Sequence, residues 1–147
     1  MADQRWESTL DRILELTVVL GRDMAQELER MGLTESRAHL VWELAHRGPC
    51  KQQVLAEALG VSPRTITALV DGLVSTDFVT REPHPSDRRA TQVMLTARGE
   101  RAAKTLLDGH RELATRLFAD VPADRLDCFD EVLAGLLARL LELSARA

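Results

Sequence analysis

The stretch Gln53–Leu73 reads QVLAEALGVSPRTITALVDGL, and its punctuation decides the fold. A short apolar-patterned run ends at Gly60, the residue type that most readily takes the left-handed conformation closing a helix. Ser62 stands where a side-chain oxygen can cap free backbone N–H groups, and Pro63 where the first helical residue needs no N–H. The reading is a helix over about 51–59 with Val54, Leu55, Ala58 and Leu59 inward. A tight turn follows, then a second helix from Pro63 to about Ser75 that buries Ile66, Leu69, Val70, Leu73 and Val74. Two helices so joined form a helix-turn-helix, which holds its second helix clear of the body so that it can enter a DNA major groove.

Downstream the pattern changes from helical to extended. Phe78–Glu82 and Thr91–Thr96 read as strands, and the polar, turn-forming Pro83–Arg89 between them reads as a loop longer than the tightest hairpin types. Upstream, Leu10, Ile13, Leu14, Val18, Leu20, Met24 and Leu28 recur at helical spacing over 8–30. Thr34 then caps a second helix that stops at Gly48-Pro49. After the hairpin Thr96 opens another helix, Pro122 breaks it, and a last helix covers about 123–143. Its apolar positions 126, 129, 133, 136 and 140 alternate by three and four, the spacing of a helix–helix seam, and Val132 and Leu137 widen the stripe.

The expected fold class is therefore mainly α with a small β-hairpin wing. Residues 33–96 form a winged helix-turn-helix DNA-binding domain, and 1–32 with 97–147 form a helical dimerisation region. The bulk numbers agree: 147 residues, 45% hydrophobic, 3% aromatic and no Tyr describe an aliphatic, helix-favouring core. No apolar run approaches the roughly 18 residues of a membrane span, so no membrane partner is expected. The polar N-terminus lacks a secretory pattern, and Cys50 and Cys128 are too far apart to suggest a disulfide framework, so a cytoplasmic location is the simplest expectation. The net charge of −4 argues at first against nucleic acid. Residues 48–104, however, carry eight Lys and Arg against six Asp and Glu, so positive charge concentrates in the middle of the chain.

On the second helix, Arg64 can donate a bidentate pair to guanine, and Thr65 and Thr67 can meet bases or phosphates. Ser62 and the helix N-terminus can receive a phosphate. Lys51 and Gln52, at the start of the preceding helix, join this DNA-binding set. On the hairpin, Arg88 and Arg89 can enter a narrow minor groove, with Asp87 placed to pair with Arg89 and fix its direction.

The quoted stretch, followed by Asp87-Arg-Arg-Ala-Thr-Gln-Val-Met-Leu-Thr-Ala-Arg-Gly99, resembles the MarR (multiple-antibiotic-resistance regulator) family over nearly the whole chain. The resemblance implies a two-fold homodimer whose first and last two helices interleave, bound to a palindromic double-stranded DNA operator. It also implies repression relieved by a small ligand or oxidant. By position it places Ser62, Arg64, Thr65 and Thr67 on the recognition helix, and Asp87 and Arg89 on the wing. Ala68 and Gly72 stand where many relatives carry Arg, and Asp77 where Gly is common.

An effector pocket lined by Met24, Arg37, His39 and Trp42 would suit a small aromatic or phenolic ligand, with Trp42 simply buried as the alternative. A metal-sensing reading would need His39, His46, His110 and Cys50 to converge; no metal site is expected. Cys50 lies by a helix start that could lower its pKa, but inert cysteines are the simpler reading. No catalytic residue or cofactor is expected, because the chain has no phosphate loop, metalloprotease pair or nucleophile elbow. The alternative function is a winged-helix protein-interaction module without operator binding, or a metal-sensing repressor.

Overall fold

Three of the chain's turns are built the same way, and they place everything else. In the computed structural model, which describes residues 2–146, helix α1 (Ala2–Met31) ends with Leu33 N donating to Leu28 O and Gly32 N to Glu29 O. Helix α3 (Gln52–Leu59) ends with Val61 N donating to Ala56 O and Gly60 N to Glu57 O. Helix α4 (Pro63–Ser75) ends with Phe78 N donating to Leu73 O and Asp77 N to Val74 O. Each is a Schellman cap, which satisfies orphan carbonyls by sending one residue through the left-handed region.

Gly32 and Gly60 take that conformation without a Cβ penalty, at φ 73° and 64°. Asp77 takes it at φ 61°, where an L-residue stores strain of about 1–2 kcal/mol. Asp77→Gly is expected to raise unfolding free energy by about 0.5–1 kcal/mol, because relief of strain is partly offset by the freer unfolded chain. Asp77→Val is expected to lower it by about 1–2 kcal/mol. Urea midpoints of the two variants, moving in opposite directions, test the point.

The remaining elements are α2 (Glu35–Arg47), β1 (Val79–His84), β2 (Asp87–Leu95), α5 (Ala97–Phe118) and α6 (Ala123–Ala145). Thr34 caps α2 by accepting from Arg37 N, and Ser62 caps α4 by accepting from Thr65 N, with Pro63 opening the helix. Thr96 starts α5: its Oγ1 accepts from Gly99 N at 3.1 Å and donates to Asp77 O at 2.5 Å. Among the described residues no helix is long and apolar enough to cross a membrane.

The chain divides into two units, 1–106 and 107–147. The first holds the core: Leu28 and Leu33, then Leu40, Val41 and Leu44 of α2, Leu55 and Ala56 of α3, and Ile66, Val70 and Leu73 of α4. Phe78, Val79, Val93, Ala102 and Ala103 complete it. Val54 and Val74, expected inward, are exposed, while Ala56 is buried. On a helix the residues either side of a core stripe differ by only about 100° per step, so the stripe's edges are ambiguous in sequence. The second unit holds the later part of α5 and all of α6, which has no buried residue.

The hairpin differs from the expected pair of short strands around a long loop. β1 and β2 are antiparallel, with Val79 opposite Leu95 and the pairing continuing to Pro83 opposite Thr91. The register then shifts, and His84 faces Asp87. Only Pro85 and Ser86 connect the strands, so Arg88 and Arg89 belong to β2 rather than to a loop. Arg88, Arg89 and Ala90 occupy the three places on β2 that have no counterpart between Pro83 and His84. A bulge of this kind bends a strand and re-aims its side chains. Pro83 is tolerated because a two-stranded ribbon has only edge strands.

Candidate nucleic-acid interface

Helix α4 and its cap leave Ser62, Pro63, Arg64, Thr65, Thr67, Ala68 and Asp71 exposed, while Ile66, Val70 and Leu73 anchor the opposite side. The hydroxyls on the exposed side are already engaged. Ser62 Oγ lies 2.9 Å from Thr65 Oγ1, and Thr67 Oγ1 donates to Pro63 O at 2.8 Å. Thr67 Oγ1 also accepts from Gln52 Nε2 at 2.6 Å. By contrast, among the described residues no hydrogen bond or ion pair engages the guanidinium of Arg64, Arg88 or Arg89. On α4 and the hairpin these three exposed cations are free to meet an anionic partner.

Asp87 holds the backbone of Arg89, not its side chain as expected: Oδ1 accepts from Arg89 N at 3.1 Å. Its other oxygen lies 3.9 Å from Lys51 Nζ, a loose, half-exposed contact between the start of α3 and the wing. A carboxylate two residues upstream naturally closes onto a backbone N–H, a local turn that costs no long side-chain ordering. The wing is also tied at its root. Cys50 N donates to Val93 O and Val93 N to Cys50 O, at 3.2 and 2.8 Å, adding an isolated bridge from a third segment. Burial pushes the Cys50 thiol pKa up, against a smaller opposing pull from Arg47, in the direction of the inert reading rather than of a reactive thiolate.

Residues 33–91 match the profile of the MarR family. An uncharacterized HTH-type transcriptional regulator, YpoP of Bacillus subtilis (strain 168), is 30% identical over 125 residues, covering 85% of this chain and 81% of the relative. The chain belongs to the MarR family. YetL, an HTH-type transcriptional repressor of the same organism, is 33% identical over 86 residues, 58% of this chain. That match spans only 52% of YetL's length. Among solved structures, Streptococcus pneumoniae FabT in complex with DNA superposes with a TM-score of 0.79, covering 95% of this chain and 98% of FabT. At 16% identity it establishes the shared winged-helix fold. Membership agrees with the expectation of a non-enzymatic protein, since these curated relatives are transcriptional regulators.

In this MarR-family chain, of the four residues considered for an effector pocket, Met24 lies on α1 and Arg37, His39 and Trp42 on α2. Arg37 and His39 are two apart on α2 and so stand about 200° apart around it. The Arg37 side chain lies over Gly72 of α4, where a Cβ would come within 2.9 Å of Arg37 Cζ. Gly72 is thus occupied by a neighbouring helix's arginine rather than being a bare gap. His39 and Met24 are exposed, and Trp42 is half-buried. The Trp42 ring lies 4.7 Å from that of His46, whose Nδ1 is 2.9 Å from Trp42 O. Among the described residues no three His, Cys, Asp or Glu side chains converge as a metal site would require.

One residue passed over in the sequence is central to the geometry. Arg81 of β1 donates through Nη2 to Asp71 Oδ1 of α4 at 2.6 Å and to Gln52 Oε1 of α3 at 3.4 Å. The only signal available was its alternation on a strand directly after α4.

Proposed function

We propose that this MarR-family chain is a dimeric, sequence-specific DNA-binding transcriptional repressor, released from its operator by a small aromatic or phenolic effector. The reading is carried by one observation: a helix capped by Ser62-Pro63 and a bulged hairpin leave Arg64, Arg88 and Arg89 exposed and uncommitted. Cations so displayed suit a phosphate backbone and base edges. The DNA complex named for FabT supports it by analogy of fold. In this reading α4 lies in the major groove and the wing reaches the minor groove. Residues 33–96 act as the reading head, with 1–32 and 97–147 as the dimerisation region.

A dimer is supported by apolar side chains left in solvent. On α1 these include Trp6, Leu10, Leu14 and Val18, and on α6 Phe129, Val132, Leu136, Leu137 and Leu140. Large apolar side chains exposed in such number along a helix mark an association face. A second copy is the partner, because two half-sites on a palindromic duplex require two reading heads. For the effector, Met24 of α1 and Arg37, His39 and Trp42 of α2 are the proposed contacts.

The test is fluorescence anisotropy with a duplex drawn from the region upstream of the protein's own coding sequence. The wild-type chain is expected to bind. Arg89→Ala is expected to bind about ten-fold less tightly, with the salt slope reduced by about one unit. Absence of binding at low salt would favour the protein-interaction module instead.

A further inference from the structure

We infer that Gln52, Thr67, Asp71 and Arg81 form a relay that locks the wing to the recognition helix. In this relay Gln52 and Arg81 are positioning residues and touch no DNA. The inference rests on the DNA-reading function proposed above and says how its two reading elements are kept in register.

The relay joins three elements that are remote in sequence. Gln52 is the first residue of α3, Thr67 and Asp71 lie one turn apart on α4, and Arg81 is in β1. Gln52 uses both ends of its amide: Nε2 donates to Thr67 Oγ1 at 2.6 Å, and Oε1 accepts from Arg81 Nη2 at 3.4 Å. The same Arg81 nitrogen donates to Asp71 Oδ1 at 2.6 Å. Thr67 passes the chain of bonds on to Pro63 O, inside the first turn of α4. Across the hairpin Arg81 pairs with Val93, the residue bridged to Cys50, so the relay acts at the wing's fixed root.

Two physical consequences follow. First, Thr67 spends its one hydroxyl proton on Pro63 O, one donor and one acceptor of the Gln52 amide are engaged, and the Arg81 charge is matched by Asp71. None of them resembles the uncommitted Arg64, Arg88 and Arg89. Second, a helix and a hairpin that read neighbouring grooves must hold their spacing to about half an ångström to engage together. The exposed Arg81–Asp71 pair adds little to global stability, since the partners are 33% and 60% exposed. Its effect is on relative placement, and bonds that share a residue act as a unit.

The experiment uses the full chain with Gln52→Ala, Arg81→Lys and the double variant, beside wild type and Arg89→Ala. Affinity is measured for the operator fragment and for a random duplex of equal length across a range of KCl concentrations. Thermal melts confirm folding at the assay temperature, and Gln52→Ala, the milder change, carries the test if Arg81→Lys does not fold. Lysine keeps the charge but replaces the planar guanidinium, whose Nη2 serves both partners, with an ammonium on a shorter and more flexible stem.

Each single variant is expected to bind operator roughly ten-fold more weakly while random-duplex affinity changes by less than about two-fold. The salt slope should stay at the wild-type value, and the double variant should be no worse than the weaker single. Operator affinity within about two-fold of wild type in both singles overturns the relay. So does a parallel loss on operator and random DNA with a slope lower by about one, which marks a direct phosphate contact. If the wild-type chain itself binds no duplex, the DNA-reading function falls and the relay's role falls with it. That failure is visible in the wild-type titration alone.

Discussion

Gly99→Ala is expected to destabilise the fold by about 3 kcal/mol, although alanine in an open helix would gain up to about 1 kcal/mol over glycine. Gly99 is a buried residue in the first turn of α5, where the helix runs against the chain entering β1. A Cβ there would overlap the carbonyl oxygen of Phe78 and lie 3.0 Å from its carbon and 3.1 Å from Leu95 Cδ2. That carbonyl cannot retreat cheaply, because it accepts from Thr96 N at 3.1 Å. Its residue is also held by Phe78 N donating to Leu73 O, and the Phe78 ring is buried beneath Arg98. The added methyl therefore has to move backbone, and overpacking of this kind is costly. Gly109, on the same helix, has nothing within 4 Å of the equivalent position. Gly109→Ala is the control, expected to gain about 0.5–1 kcal/mol. Urea unfolding of both variants reads the contrast, and equal effects at the two glycines would contradict the close approach at Gly99.

Leu140→Glu is expected to dissociate the proposed dimer while leaving the chain folded through residues 1–106. Leu140 is 61% exposed in the single chain, so within one chain the substitution removes little packing and places a good helix former on a helix. Any large effect must come from association. Across a two-fold interface the change occurs twice, and each copy forfeits about 2 kcal/mol of apolar burial before the cost of a carboxylate there. About 4 kcal/mol corresponds to a roughly thousand-fold rise in the dimer Kd. Light scattering after gel filtration should give a 16.4 kDa species for the variant and twice that mass for the wild type. Operator affinity should collapse with the dimer, because each half-site is then held alone. A variant that stays dimeric would show that α6 is not the seam.

What the sequence made legible was its local chemistry. Thr34, Gly60, Ser62, Pro63 and Thr96 announced their caps because a cap is a property of a few adjacent residues, and the structure places each of them at a helix end. The hairpin was read as too open because Pro83, Pro85, Ser86 and Asp87 all favour turns, and composition alone does not say which pair makes the reversal. Register decided it, with His84 opposite Asp87. The Arg81 contacts were not legible, since Gln52 and Arg81 are 29 residues apart and exposed polar residues carry no periodic signature. Asp87 was read as accepting from the wrong donor, because a nearby arginine suggested a side-chain partner where the backbone N–H was closer at hand.

The single bridge between Cys50 and Val93 gives the wing a mechanical profile. Three segments of backbone are stitched together at its base, whereas toward Pro85 and Ser86 only two remain, with mismatched residues on one of them. Such a cantilever tapers: stiffness resides near the helices and compliance in the last few residues. Thermal bending is thus concentrated where the arginines are displayed, so the tip can yield without loosening its mount. Amide hydrogen exchange should accelerate stepwise along the ribbon, slowest at Val93 and fastest beyond Thr91.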